Sequence, residues 1–202
     1  MKINKIYRNK MYLDTGEIMD ISPFIRQKYD LKVNNEIERF YDEVSYEASL
    51  EKGIFLISLK DRTKKEVRLK LEEKYRNKAA ILRAIEKLEE FGYLNDLNYA
   101  MSYIEGRTYG KNRISYNLFQ KGINKDLVEK AYLTLDEEKE ENVEDVKLEK
   151  LIEKKGKKVN VNNERDEKKI KEEQKLIQYL ARQGFSLDKI FKKLKEYKGN
   201  YE

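Results

Sequence analysis

The side chains best able to do chemistry in this sequence are its 44 lysines and arginines and its 15 tyrosines. Histidine and cysteine are absent, which removes imidazole and thiolate chemistry and the usual ligands of zinc and haem. The 38 acidic residues are accompanied by no glycine-rich phosphate loop and no compact set of carboxylates. The sequence therefore predicts a binding protein and not an enzyme.

The positive charges are concentrated in three segments of the chain. Residues 60–87 carry 11 basic and 5 acidic side chains, residues 106–125 carry 5 basic and none acidic, and residues 174–198 carry 7 basic and 2 acidic. Residues 136–173 carry 11 basic and 14 acidic side chains, a mixture typical of a solvated helix or linker. With a net charge of +6, we expect basic faces that bind an anionic partner.

The first basic cluster lies in the first of these segments. It consists of Lys60, Arg62, Lys64, Lys65 and Arg68. Such a group can bind phosphate or an acidic surface, but it can equally be the solvated end of a helix.

The second basic cluster contains tyrosines between its cations, and all of its cations lie in the segment 106–125, which has no acidic residue. Its cations are Arg107, Lys111, Arg113 and Lys121, and its tyrosines are Tyr103, Tyr109 and Tyr116. Cations with interleaved aromatic rings suit contact with phosphates and stacking on bases. The alternative is that the tyrosines fill a hydrophobic core.

The third basic cluster is Lys189, Lys192 and Lys193, near the end of the chain. It is the least specific of the three, because terminal helices often carry lysines that only solvate them.

The clusters must be positioned by helices, and regularly spaced capping and turn residues mark where these helices begin and end. Before residue 22, short β-prone pieces predict a small hairpin or meander, and Ser22-Pro23 then opens a short helix. Further on, capping residues predict helices of about three turns. These signals are Asp61 or Thr63, Asn77, Gly92, Asn95 or Asp96, Gly110, Gly122 and Asn124.

Apolar residues recur in three series with offsets 0, 4, 14 and 18. The series are Val67, Leu71, Ile81 and Ile85; Ile114, Leu118, Val128 and Tyr132; and Leu176, Leu180, Ile190 and Leu194. Any two amphipathic helices joined by a tight turn give similar offsets, but a glycine also recurs, before Ile123 and before Phe185. The pattern predicts a mainly α fold of three tandem three-helix repeats, forming an elongated curved array that offers extended binding faces.

The predicted organisation has four parts. Residues 1–40 form the N-terminal hairpin and short helix, residues 41–94 the first repeat and residues 95–136 the second. Residues 137–202 form the third repeat with a charged insertion near 156–166.

The middle helices of the second and third repeats are predicted to share a binding face on the side away from their core positions. This face is Arg113, Tyr116, Asn117 and Gln120 in the second repeat, and Lys175, Gln178, Tyr179 and Arg182 in the third. The same offsets in the first repeat hold two glutamates, which do not suit an anionic partner. The alternative is a merely solvated outer face.

Nothing in the sequence predicts membrane insertion or export. The first ten residues contain no apolar segment of a signal peptide, and no run approaches the roughly 18 apolar residues of a membrane span. We expect a cytoplasmic protein.

Four blocks of the sequence stand out at the ends and junctions of the predicted repeats. They are residues 57–71 (ISLKDRTKKEVRLKL), 91–107 (FGYLNDLNYAMSYIEGR), 110–123 (GKNRISYNLFQKGI) and 179–190 (YLARQGFSLDKI). Together they resemble the family of the bacterial recombination regulator RecX. Their order and spacing follow the family pattern. Lys60 and Gln183 stand where the family has arginine, and Asn95 where it has aspartate, so a bidentate arginine contact is lost at two positions.

The resemblance implies three tandem three-helix units and a negative modulator of RecA that acts in DNA recombination, repair and the SOS response. The family binds the RecA–DNA filament and blocks its growth, its ATP hydrolysis and strand exchange. No cofactor is implied, and we expect a monomer whose partners are the RecA filament and single- and double-stranded DNA. Two other classes stay open: a general DNA-binding protein without a RecA target, and an adaptor that binds proteins in its helical grooves.

Overall fold

A three-stranded antiparallel meander begins the chain. The computed structural model describes residues 1–156 and 167–199. Strands β1 (Ile3–Tyr7), β2 (Lys10–Leu13) and β3 (Ile18–Asp20) pair in that order. Alternation along β2 buries Met11 and Leu13, as expected for a sheet with one covered face. The predicted hairpin or meander is confirmed.

A helix cap and one buried carboxylate connect the sheet to the helices that follow it. Helix α1 (Pro23–Lys28) begins where the Ser22 hydroxyl accepts a hydrogen bond from the Ile25 amide at 3.2 Å. The buried Glu17 carboxylate accepts hydrogen bonds from the Tyr41 hydroxyl at 2.8 Å and the Arg76 amide at 3.1 Å. Burial and the bond to Glu17 raise the pKa of Tyr41 to about 12.

The helices of the first predicted repeat are α2 (Tyr41–Leu59), α3 (Lys64–Glu72) and α4 (Lys78–Glu90). Thr63 caps α3 in a reciprocal pair with Glu66, and Asn77 caps α4, both at predicted capping positions. All three helices contribute to one hydrophobic core with the meander. Where α2 crosses α4 the chain has Gly53, because a Cβ there would lie 2.6 Å from Leu88 Cδ1.

Six further helices follow in the described part of the chain. They are α5 (Asp96–Glu105), α6 (Lys111–Gln120), α7 (Lys125–Lys139), α8 (Val143–Gly156), α9 (Glu167–Arg182) and α10 (Leu187–Gly199). Their buried apolar residues form two clusters, one within residues 100–143 and the other within residues 148–194. All twelve residues of the three apolar series are buried.

Gly122 and Gly184 end α6 and α9 in the left-handed conformation, with φ of 89° and 95°. The following amides of Ile123 and Phe185 donate back to the carbonyls of Leu118 and Leu180 at 3.0 and 3.3 Å. This is the hydrogen-bonded helix end that glycine favours. The recurring glycine of the sequence thus marks the same turn in two repeats.

The predicted fold class, mainly α with a small N-terminal sheet, is confirmed. The chain divides into two compact units, Met1–Asp96 and Leu97–Glu202. The predicted domain boundaries stay predictions, and α7 continues past 136 to Lys139. The predicted insertion near 156–166 lies, beyond Gly156, outside the described residues.

Candidate nucleic-acid interface

The start of α6 is held against the turn between α9 and α10 by backbone contacts. The amides of Gly110 and Asn112 donate to the carbonyls of Gln183 and Gly184 at 2.9 and 3.1 Å. A Cβ on Gly110 would lie 2.4 Å from the Gly184 carbonyl carbon, and one on Gly184 would lie 2.5 Å from Arg113 Cβ. Only glycine fits at either position, so this contact fixes where α6 presents its side chains.

Arg113 is part of this contact. Its guanidinium lies 3.9 Å from the centre of the Tyr109 ring and donates to Gln183 Oε1 at 3.2 Å. The side chain is therefore half-buried and oriented by two neighbours. Gln183 stands at one of the positions where the sequence departs from the family pattern, and here its amide oxygen is the acceptor for Arg113.

The rest of the predicted α6 face is more open. Tyr116 is 64% exposed, Gln120 is exposed and Asn117 is half-buried. Ile114 and Leu118 are fully buried, so the predicted inward side of the helix is confirmed. The α6 face offers one exposed ring and two amides, with its cation at one end.

A row of two tyrosines between two cations runs along α5. The Tyr99 and Tyr103 rings stack at 6.4 Å with 16° between their planes. The Arg107 guanidinium lies 5.2 Å from the Tyr103 ring, and the Lys121 ammonium lies 5.5 Å from the Tyr99 ring. We call these four residues the α5 ladder. Both rings are half-buried, so the ladder joins cationic charge to partly accessible aromatic surface, as single-strand binding proteins do.

Tyr99 was missed by the sequence analysis. The signal that could have found it is the four-residue spacing of Tyr99 and Tyr103 on α5, which places their rings side by side. Arg107 follows four residues after Tyr103, just beyond the end of the helix.

Lys111 is half-buried and its charge is paired with a neighbouring helix. Its ammonium pairs with Glu129 at 2.5 Å and lies 5.1 Å from the Tyr132 ring, and its backbone amide donates to Glu144 Oε1 at 2.7 Å. The structure thus separates Lys111 from the other cations of the second cluster.

On α9, the predicted face of the third repeat is largely open. Lys175, Gln178 and Arg182 are exposed. Tyr179 is half-buried, with the Lys155 ammonium 5.4 Å from its ring. Within the described residues, neither Lys175 nor Arg182 forms an ion pair. These two cations are therefore available to an anionic partner.

The first basic cluster surrounds the turn between α2 and α3. Lys64 pairs with Glu89 at 2.7 Å, a hydrogen bond that raises the pKa of Lys64, and Arg68 pairs with Glu72 at 2.8 Å. The Arg62 guanidinium donates to the Leu56 carbonyl at 3.1 Å. Lys60 and Lys65 are exposed. Three of the five cations, Arg62, Lys64 and Arg68, therefore interact with other residues of the first predicted repeat.

In the third cluster, two of the three lysines pair with α8. Lys189 lies 2.8 Å from both Glu144 and Asp145, and Lys193 lies 2.5 Å from Glu149 and 3.0 Å from Glu196. Partial burial opposes the charge of Lys189, but its hydrogen bonds to Asp145 and Glu144 raise its pKa overall. Lys192 is exposed. This cluster joins α10 to α8.

Within residues 1–156 and 167–199, no group of three or more acidic side chains is placed to hold a metal ion. Among the described helices, none has the length and apolarity needed to cross a bilayer.

Known proteins resemble this chain over nearly its whole length. The family model "RecX, second three-helix domain" matches residues 95–131. "Regulatory protein RecX" of Clostridium beijerinckii is 30% identical over 198 residues, covering 93% of this chain and 90% of that protein. The protein of the same description from Clostridium acetobutylicum is 32% identical over 196 residues, covering 94% and 89%.

Two solved structures share the fold. The crystal structure of RecX from Lactobacillus salivarius is 29% identical, with a TM-score of 0.62, and covers 75% of this chain and 96% of its own. A second crystal structure of regulatory protein RecX is 23% identical, with a TM-score of 0.59 over 93% of this chain, and shows the fold alone. Identity of 30–32% over more than nine-tenths of the chain leads to one conclusion: the chain belongs to the RecX family of regulatory proteins.

Proposed function

We propose that this chain is a negative modulator of RecA. It binds the RecA–DNA filament and inhibits filament growth, ATP hydrolysis and strand exchange in DNA recombination and repair. The observation that carries the proposal is the 30% identity to a regulatory protein RecX over 93% of the chain. The protein acts by binding, as a monomer in the cytoplasm, without catalysis and without a cofactor.

The open cations support an anionic partner. Among the described residues, Lys175 and Arg182 on α9 and Arg107 of the α5 ladder form no ion pair with a carboxylate. A filament of protein on DNA presents phosphates along its length, and each phosphate contact contributes salt-dependent affinity. The four-part domain division from the sequence, with repeats at 41–94, 95–136 and 137–202, belongs to this proposal.

A pull-down separates this proposal from general DNA binding. A biotinylated oligo(dT) strand is captured bare, or after coating with RecA and a slowly hydrolysed ATP analogue, and the chain is added at several salt concentrations. We expect more retention on the coated strand, and retention there should persist at salt that releases the chain from bare DNA. Equal retention on both would favour the general DNA-binding protein, for which the α5 ladder is the supporting observation.

A further inference from the structure

A cavity of about 610 Å³ lies between the N-terminal sheet and α2. Four aromatic residues line it, the buried Tyr75 and the more accessible Tyr7, Tyr12 and Phe55, together with the cations Arg8, Lys10 and Lys52. All of these residues belong to the unit Met1–Asp96, and none belongs to the basic clusters described above. The cavity is large enough for a planar ring and its substituents.

The three accessible rings, those of Tyr7, Tyr12 and Phe55, each have a cation near the ring face. Lys5 Nζ lies 5.4 Å from the Tyr7 ring and 5.9 Å from the Tyr12 ring, and Lys52 Nζ lies 4.7 Å from the Phe55 ring. Tyr7 and Phe55 are 53% and 51% exposed. Exposed rings flanked by cations are the combination that stacks on a base and holds its phosphate.

The charge balance of the cavity is positive. Among the described residues, Lys5, Arg8, Lys10 and Lys52 form no ion pair. Two carboxylates face the same space. Asp20 pairs with Lys74 at 2.6 Å, whereas Glu51 accepts a hydrogen bond from the neutral Ser22 hydroxyl at 2.8 Å and keeps its negative charge. The three lining cations therefore outnumber the one lining carboxylate that no described cation neutralises.

Arg8 occupies a backbone position that an arginine rarely adopts. It has φ of 51° in the two-residue turn between β1 and β2, where glycine or asparagine would be less strained. The turn places its guanidinium 5.4 Å from the Tyr7 ring, at the cavity. The strain is retained at a residue whose side chain contributes charge to the site.

We propose that this cavity binds one or two nucleotides of single-stranded nucleic acid, with bases on Tyr7, Tyr12 and Phe55 and phosphates on Arg8, Lys10 and Lys52. The inference assigns a role to the N-terminal sheet, which the proposed function leaves without one. It requires no RecA.

The first test uses the full chain and a fluorescein-labelled dT12 strand, with affinity measured by anisotropy in the absence of RecA. Phe55→Ala should weaken binding by about five-fold or more, because one stacked base is lost. Phe91→Ala is the matched control, since Phe91 is 54% exposed with Lys87 Nζ 4.8 Å from its ring and lies outside the cavity. Its affinity should equal that of the wild type.

The second variant separates binding from folding. Arg8→Gly removes a cation and also relieves the backbone, so its melting temperature should hold or rise while its affinity for dT12 falls. The slope of log affinity against log salt should flatten by about 0.7. Asn34→Gly, which relieves φ of 73° elsewhere in this unit, should change neither affinity nor slope.

Two results would overturn the inference: wild-type affinity in both Phe55→Ala and Arg8→Gly, or an equal loss of affinity in Phe91→Ala. RecA is absent from these measurements, so failure of the proposed function would appear only in the filament assays.

Discussion

Arg113 and Lys175 hold equivalent positions in the second and third repeats but have different surroundings. Arg113 is half-buried against Tyr109 and Gln183, whereas Lys175 is exposed without an ion pair among the described residues. Substituting Arg113 would therefore disturb packing together with charge. Lys175 and Arg182 are the better pair for testing whether the α9 face binds.

Reversing both α9 charges, Lys175→Glu with Arg182→Glu, should weaken binding to RecA-coated single-stranded DNA. Its salt dependence should flatten by about one or two ion equivalents, since each lost phosphate contact releases fewer counterions. Because both residues are exposed, the melting temperature should stay near the wild-type value. Lys150→Glu with Lys154→Glu is the control, with the same charge change on exposed residues of α8. An equal loss in this control would mean that net charge, and not the α9 face, drives binding.

Lys147 should make the stability of this protein depend on pH. It donates a hydrogen bond from α8 to the Ile104 carbonyl at the end of α5, and burial lowers its pKa to about 8. An unfolded lysine titrates near 10.4, so between about pH 8 and pH 10 the unfolded state binds more protons. The contribution of Lys147 to the free energy of unfolding should therefore rise with pH in this window.

Urea unfolding of wild type and Lys147→Met at pH 7.5, 8.5 and 9.5 measures this contribution. The wild type should gain stability relative to the variant as pH rises. Lys150→Met removes an exposed lysine from the same helix, and its curve should run parallel to the wild type. Parallel curves for Lys147→Met as well would show that Lys147 titrates normally.

At the scale of elements, α3 and α6 are each capped by a distant carboxylate. In both helices the first backbone amide donates a hydrogen bond to an acidic side chain just over 30 residues further along the chain. The Lys64 amide of α3 donates to Asp96 Oδ1 at 2.9 Å, and the Lys111 amide of α6 donates to Glu144 Oε1 at 2.7 Å. Asp96 and Glu144 begin α5 and α8 and are both buried. A carboxylate at a helix N-terminus satisfies a free amide and the positive end of the helix dipole.

Removing one of these acids should be costly. Glu144→Ala should lower the free energy of unfolding by about 1–3 kcal/mol, because it frees a helix amide and one partner of Lys189. Glu149→Ala, which removes a half-exposed partner of Lys193, should cost about 0–1 kcal/mol. Urea unfolding of both variants provides the comparison, and equal costs would contradict a special role for the N-terminus of α6.

The helix starts at Thr63, Asn77 and Asn124 could be predicted because capping is decided within three residues of the chain. The apolar series could be predicted because helical periodicity is local too. Partners such as Lys189 and Glu144 could not, since they are 45 residues apart and meet only through packing. For the same reason, the sequence could not separate the engaged Lys111 from the open Lys175.

The whole molecule carries two candidate binding sites. The helical part carries the exposed cations Arg107, Lys175 and Arg182, and the N-terminal sheet carries an aromatic cavity with its own cations. In the two proposals, the helices bind the filament and the sheet binds a single strand. Variants of Lys175 and of Phe55 should then affect different assays.

The central claim is tested most directly by the rate of RecA ATP hydrolysis on single-stranded DNA while this protein is titrated in. The rate should fall at well below one copy per RecA subunit, because one bound protein affects several neighbouring subunits of a filament. An unchanged rate at equal concentrations, with both proteins shown to be folded by circular dichroism, would contradict the account.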